Sequence, residues 1–260
     1  MSGDGSRAVD ASHPPRTRLR PPNDLWQYDD LAGEWWRPDG AFALLHWLAE
    51  ARARLIPSAS RPGATLVDLG CGAGPLAPYV ADKGYRHVGV DLVRSALEQA
   101  ADHGLFPVQA DATALPLADG CADVVSAGQV LEHVPQWPAA VAEACRVLRP
   151  GGLLVLDTLN DTALSRLLAV RLADRMPGLP RGIHDPDLLV DARALLAECA
   201  RHGVSLRLRG VRPRAWPLAR WVARRAANRP ARLPGRAAAT RIVPTWSTAV
   251  LYQGWGVKRG

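Results

Sequence analysis

The stretch Val67-Asp68-Leu69-Gly70-Cys71-Gly72-Ala73-Gly74 restricts this chain more than any other. A short apolar run, Ala64 to Leu69, leads into glycines at 70, 72 and 74, and a helical pattern resumes over Leu76 to Lys83. Glycine lets a backbone turn sharply off a strand and approach a ligand closely at the start of a helix. The next apolar strand, His87 to Val90, ends at Asp91, 21 positions past Gly70, where a carboxylate can accept from both hydroxyls of a ribose. A plain strand-to-helix turn needs the glycines but not the acid. The conjunction therefore reads as a nucleoside site.

The alternation continues downstream. A helix follows to about His103, then a third strand from Phe106 to Ala110 ending at Asp111, and a fourth from Asp123 to Ala127. A helix over Ala139 to Leu148 is closed by Pro150-Gly151-Gly152, and Leu153 to Asp157 forms a fifth strand. Strand and helix alternating in this way predict an α/β fold: a doubly wound, mostly parallel, Rossmann-like sheet of seven strands, with its ligand at the carboxyl ends of the strands.

The loop also discriminates between adenosine ligands. A dinucleotide loop spaces its glycines GxGxxG to seat a pyrophosphate, whereas this one is GxGxG followed by Pro75. Asp68 would repel a pyrophosphate but suits a cationic methionyl group. Both details favour S-adenosylmethionine over NAD. Asp111 would then face the adenine amino group or, on the plainer reading, be a solvated loop carboxylate.

Together, VDLGCGAG, VGVD, the Asp123-Val-Val strand and RPGG resemble the class I S-adenosylmethionine-dependent methyltransferases over roughly residues 60 to 160. Further pieces extend the resemblance. Trp35-Trp36 with Gly40, Phe42 and Leu45-His46, then Leu131-Glu132-His133-Val134-Pro135, Thr158-Leu159-Asn160 and Gly182-Ile183-His184-Asp185 are similar to the 3-O-methyltransferases of ubiquinone biosynthesis. The resemblance implies cofactor contacts from Arg52, Gly70, Asp91 and Gly128. Asp68, Gly72, Gly74, Leu92, Asp111, Ala112 and Gln129 are expected to complete them. It also implies a small lipophilic aromatic acceptor, a hydroxylated ring of the prenylated quinol type, with tailoring of a soluble secondary metabolite as the alternative.

Methyl transfer from a sulfonium is an in-line displacement, so the protein must align, exclude water and present an ionised nucleophile. A phenol of pKa near ~10 needs help at neutral pH. Glu132 and His133 follow the fourth strand, on the rim where an acceptor would lie. His133 could act as general base, or both could hold a divalent ion such as Mg²⁺, or both could simply cap the next helix. The resembling family carries Glu-x-x-Glu-His here, with a metal proposed at those side chains; the corresponding set in this chain is Gln129, Glu132 and His133, its first member a neutral, weaker ligand. For His184-Asp185 two readings stand: a helix start capped by Asp185 before Pro186, or shaping of the substrate pocket.

Charge is divided along the chain. The formal net charge is +7, yet the last acidic residue is Glu198; residues 1–198 carry −7, and 14 Lys and Arg follow without an acid. Of nine tryptophans, four lie before residue 48 and four after residue 215. Trp216 to Asn228 can set Leu218, Trp221 and Val222 on one helix face and Arg220, Arg224 and Arg225 toward another, with Thr162 to Met176 as a second amphipathic candidate. Such helices suit an anionic membrane interface; a lid over the site, or a general bias toward Arg, would give the same pattern. A nucleic-acid methylase is disfavoured, because neither an Asn/Asp-Pro-Pro-aromatic motif nor a Pro-Cys nucleophile occurs after the fourth strand. Cys71, Cys121, Cys145 and Cys199 have no metal or disulfide spacing. No signal peptide or spanning segment is read, so the expected location is cytoplasmic, with peripheral contact at the inner face of the membrane. The expected organisation is a disordered tail over 1–23 and a methyltransferase domain over 24–260. Within it lie a helical cap (24–60), the cofactor core (61–160) and a substrate or lid region (161–260) bearing a basic segment at 212–241.

Overall fold

The computed structural model describes residues 21–175, 181–227 and 241–260. Its centre is a sheet of eight strands: β1 (Thr65–Leu69), β2 (Arg86–Asp91), β3 (Phe106–Gln109), β4 (Ala122–Gly128), β5 (Leu148–Leu159), β6 (Val204–Pro213), β7 (Ile242–Thr245) and β8 (Leu251–Lys258). Their spatial order is β3-β2-β1-β4-β5-β8-β6-β7. The first five run parallel, whereas β8 is antiparallel to both β5 and β6, and β7 antiparallel to β6. The chain reverses its winding direction between β1 and β4, and a crevice opens there at the carboxyl ends of the strands.

The central strands are apolar on both faces because helices cover both. Val67 and Leu69 point to one side, where they join α5 (Trp137–Val147) and α7 (Ala192–Arg201) through Val141, Ala144, Leu195 and Cys199. Leu66, Val124 and Val155 point to the other, against α2 (Ala43–Ala53) and α3 (Ala77–Val80). The cap begins with α1 (Trp26–Asp30), and α4 (Arg94–Asp102) follows β2. Beyond β5, α6 (Ala163–Ser165) continues as a π-helical stretch, Arg166–Leu172, and a 3-10 turn, Ala173–Arg175; α8 (Ala215–Ala226) lies between β6 and β7.

The predicted sheet is present, with one strand more than expected. β7 is only four residues long and contains Pro244, which the pattern of the sequence disguises and an edge strand tolerates. The fifth strand also starts earlier, at Leu148. Pro150-Gly151-Gly152 lies inside it, where the pairing with β4 shifts register between Ala122 and Val124, and does not close a helix. Residues 1–20 of the expected tail, Met176 and the Pro/Arg/Gly stretch 228–240 lie outside the described residues. Among the described residues no helix is long and apolar enough to cross a membrane.

Candidate active site

A cavity of about 820 Å³ opens at the carboxyl ends of β1, β2 and β4. The glycine loop forms its floor. Gly70 and Gly72 have φ of +61° and +51°, and a Cβ on either would sit 2.4 Å from Val130 Cγ2 or 2.5 Å from the Trp35 ring. Only glycine meets both conditions at once. Gly74, expected among the cofactor contacts, does not line the cavity; its missing Cβ lets the loop pack behind the site against Leu105 and Ala100. Asp91 faces the loop: its Oδ2 accepts from Gly72 N–H at 2.8 Å and its Oδ1 from Val93 N–H at 2.9 Å. These bonds fix the carboxylate while leaving lone pairs directed at the cavity. Burial raises its pKa, against the pull of the two amides.

Arg52, Asp68, Gly70, Gly72, Asp91, Leu92, Asp111, Ala112, Gly128 and Gln129 all line this one cavity, so ten of the eleven expected cofactor residues converge. Leu92 is an apolar side chain at the rim, 45% exposed. Asp111 is exposed and closes its own turn, its Oδ1 accepting from Thr113 N–H and hydroxyl at 2.8 Å each. Arg52 is buried at the end of α2. Its Nη1 donates to Asp157 Oδ2 at 2.8 Å and its Nε to Ser126 Oγ at 3.0 Å. The guanidinium lies where a Cβ of residue 128 would be, 2.0 Å away, which explains Gly128. Asp157, near the carboxyl end of β5, was not singled out from the sequence, although a carboxylate in the last residues of an apolar strand is the available signal.

The three groups expected around an acceptor separate on inspection. Gln129 has φ +53°, and its Nε2 donates to Asp157 Oδ1 at 3.2 Å, tying it to the cofactor side. Glu132 is fully buried and does not line the cavity; its Oε2 accepts from Thr158 Oγ1 at 2.7 Å, while Oε1 has no partner among the described residues. Burial pushes its carboxyl up to about 7, in spite of the Thr158 hydrogen bond. His133 does line the cavity. Its ring stacks on His184 at 5.2 Å, and its Nδ1 is 2.7 Å from Asn23 Oδ1. Enclosure, reinforced by His184, pushes His133 down to about 3, and enclosure pushes His184 down to about 4. Neither Glu132 nor His133 makes a side-chain cap: the turn Leu131–His133 and helix α5 start without one. Asp185 does cap, accepting from Asp187 N–H, and His184 beside it lines the cavity.

One atom each from Glu132, His133 and His184 lies within 4.8 Å of the others. Among the described His, Cys and carboxylate side chains this is the group with metal-ligand spacing, and it differs from the expected Gln129, Glu132, His133 set because Gln129 is turned to Asp157.

Asn23 was read as the last residue of a tail. Instead its backbone N–H donates to Gly182 O at 2.8 Å, and its side-chain amide donates to His133 O at 2.9 Å. No local pattern marks it, because the contact spans 110 positions. Tyr28, Trp35 and Phe42 form a stack over the loop, with Trp35 and Phe42 3.9 Å apart. At the far end the wall is apolar: Leu44, Leu48, Leu159, Trp221, Ile242 and Leu251.

A glycine loop with positive-φ turns, a carboxylate at the end of β2 facing that loop and an antiparallel strand between β5 and β6 define the Rossmann-like methyltransferase architecture. Residues 67–156 match the methyltransferase domain family. The chain is 41% identical over 174 residues to the ubiquinone biosynthesis O-methyltransferase of Paraburkholderia xenovorans, covering 63% of this chain and 75% of that one. It is 33% identical over 186 residues to the protein of that name from Idiomarina loihiensis, covering 67% and 76%. In structure it resembles a SAM-dependent methyltransferase from Thermotoga maritima, with a TM-score of 0.58 at 16% identity, covering 90% of this chain and 100% of that one. This chain belongs to the S-adenosylmethionine-dependent methyltransferase family that includes the ubiquinone biosynthesis O-methyltransferases.

Proposed function

We propose that the chain transfers the methyl group of S-adenosylmethionine to a phenolic oxygen on a small lipophilic aromatic ring, of the prenylated quinol class. The observation that carries this reading is that one cavity joins the cofactor loop to a long apolar wall, with His133 at the junction. The naming of relatives up to 41% identical supports a quinone precursor as acceptor.

In the proposed reaction Asp91 takes the ribose hydroxyls and Asp68 faces the cationic methionyl end. The phenol oxygen attacks the methyl carbon in line; the new C–O bond forms as the S–C bond breaks, giving S-adenosylhomocysteine and an aryl methyl ether. His133 receives the phenolic proton. It is neutral at physiological pH, and an Nδ1–H donated to Asn23 Oδ1 leaves Nε2 as the acceptor; the burial that keeps the ring neutral also makes it a weak base, so the proton moves in concert with attack of the oxygen on the methyl carbon. As an alternative to that proton transfer, a divalent ion would be held by Glu132, His133 and His184 and would acidify the phenol, with His133 Nε2 then a ligand and not the proton acceptor; the Glu132 Oε1, without a partner among the described residues, is the atom whose chemistry fits it.

The lid reading of the basic end has a specific observation behind it. Trp221 faces inward, and Arg225 Nη1 reaches Glu34 Oε2 of the cap at 2.7 Å. We extend the proposal to membrane contact through a different element, the segment 163–175. There Leu164, Leu167, Leu168 and Leu172 are 41–51% exposed beside Arg166, Arg171 and Arg175, and Leu168 also lines the cavity.

The test is transfer of labelled methyl to a panel of catechols, prenylated quinols and RNA. Prenylated quinols are expected to accept best. Transfer to RNA alone would overturn the reading, and a marked preference for unprenylated catechols would return the acceptor to the soluble class. His133→Ala is expected to abolish turnover while S-adenosylhomocysteine still binds.

A further inference from the structure

A second chamber of about 370 Å³ lies on the other side of Val211 and Ile242, which line both cavities. Its polar lining consists of Arg54, Arg209, Arg214 and Gln253, with no carboxylate among the described lining residues. Arg54 comes from just beyond α2, Arg209 from β6, Arg214 from the residue preceding α8, and Gln253 from β8. These positions are 199 residues apart at the extreme, so no sequence run announces them.

The hydrogen-bond inventory gives the sign of the missing ligand. Gln253 is fully buried, and its Oε1 accepts from Arg209 Nη2 at 3.1 Å. That bond fixes the amide so that its NH₂ is the unsatisfied end. Among the described residues Gln253 Nε2 has no partner, and neither has Arg209 Nε, although both atoms are buried. Buried polar groups in folded proteins are normally satisfied. Both orphans are donors, both border the same chamber, and Arg209 and Arg214 add positive potential, with Arg54 beside them paired through its Nη2 to Glu50 Oε1 at 2.9 Å. Arg209 is held in place by stacking on Trp255, its Cζ 5.2 Å from the ring centre. Arg214 brings the first turn of α8, which has no side-chain cap, to the chamber edge. A group that satisfies two N–H donors among guanidinium ions is an oxyanion with several acceptor oxygens, for which phosphate fits best.

We propose that this chamber is a binding site for a phosphate group, separate from the cofactor and acceptor cavity, held by Arg209 and Gln253 in its depth and by Arg54 and Arg214 at its mouth. The phosphate could belong to a lipid headgroup or to a free phosphorylated molecule; the chemistry of recognition is the same.

The full chain should be titrated with inorganic phosphate at low ionic strength, followed by calorimetry and by ³¹P line broadening, and also tested for retention on phosphatidylglycerol vesicles. Saturable binding at one site is expected. The pair R54A/R214A is expected to weaken phosphate binding at least tenfold, with S-adenosylhomocysteine binding retained as the control for folding. The pair R193A/R220A removes the same charge outside the chamber and is expected to leave phosphate binding unchanged. Q253L, which removes the buried donor and no charge, is expected to weaken it as well. Loss of vesicle retention in R54A/R214A, with release of the unmodified chain by free phosphate, would assign the site to a headgroup; unaltered retention with weakened phosphate binding would assign it to a soluble phosphate. A titration of the unmodified chain that does not saturate, or equal weakening by the two arginine pairs, would overturn the proposal.

Discussion

Arg52 stands where three strands' ends meet, and its surroundings explain why a single exposed-looking arginine in an Ala/Leu/Arg helix is nothing of the kind. Asp157 opposite it is wholly buried, and among the described residues Arg52 and Gln129 donate to its two oxygens. Removing one member of a buried ion pair leaves the other uncompensated and costs about 3–5 kcal/mol, whereas removing both can be nearly neutral. Arg52→Met is therefore expected to lower stability by about that amount in urea unfolding, and R52M/D157N to recover a large part of it. Both variants should lose cofactor affinity, because Arg52 and Asp157 together shape the wall at Gly128. Equal instability of the single and double variants would show that the pair is not the unit. Asn23 makes the opposite lesson at the same scale: a residue with no motif around it holds His133 through both its backbone oxygen and its ring.

Elements are joined by two polar clamps whose members the sequence does not place together. Asp123, at the start of β4, accepts from Thr65 N–H, from Arg61 and from Arg149, so it ties the approach to β1 to the start of β5. Burial raises this carboxyl, but the hydrogen bonds from Thr65, Arg149 and Arg61 outweigh it, and its pKa lies below the ordinary value. A depressed folded value means the stabilisation is complete above the unfolded pKa of about 3.9 and fades as pH falls through it toward the folded one. Asp123→Asn should therefore lower stability at neutral pH and flatten the loss below about pH 4; an unchanged acid limb in a pH series of thermal melts would contradict this. The second clamp joins α8 to the cap, Arg225 to Glu34 at 2.7 Å and Arg224 to Asp39 at 3.9 Å, with Trp47 and Trp221 6.3 Å apart beneath them. A double-mutant cycle of Glu34→Gln and Arg225→Gln is expected to show coupling of about 1 kcal/mol or more, since both side chains are mostly covered, and each single change should raise KM for the acceptor more than it lowers kcat. Additive effects would mean the two ends merely touch. What was legible beforehand follows from this. The loop, Asp91 and the alternating strands obey local periodicities, so the core and the cofactor wall could be read. The partners of Asp157, His133 and Arg225 lie 105, 110 and 191 residues away, and such pairings are set by the fold and not by any window of sequence.

Across the whole molecule, the division of charge acquires a structural meaning. The segment without acids does not project as a separate basic arm over its described part: β6 and β8 extend the sheet, α8 lines the cavity with Leu218 and Trp221, and two of its arginines face Glu34 and Asp39 in the acidic portion of the chain. Part of the +14 is thus spent internally, which moves the surface best suited to a membrane away from α8. The segment 163–175 presents four leucines outward around the cavity that would receive a prenylated ring, and Arg166 is bound to Asp161 and Asp187 at its base. Apolar insertion with only modest electrostatic help predicts a particular pattern. Retention on phosphatidylglycerol vesicles should be lost in L167S/L172S, whose changes are at exposed positions and should leave the melting temperature within a few degrees. Raising salt from about 0.05 to about 0.5 M shortens the Debye length roughly threefold and should reduce retention only in part. Complete release by salt with no effect of the leucine changes would instead place the contact on the arginines, and turnover of a prenylated acceptor presented in vesicles should then follow the arginine variants and not the leucine ones.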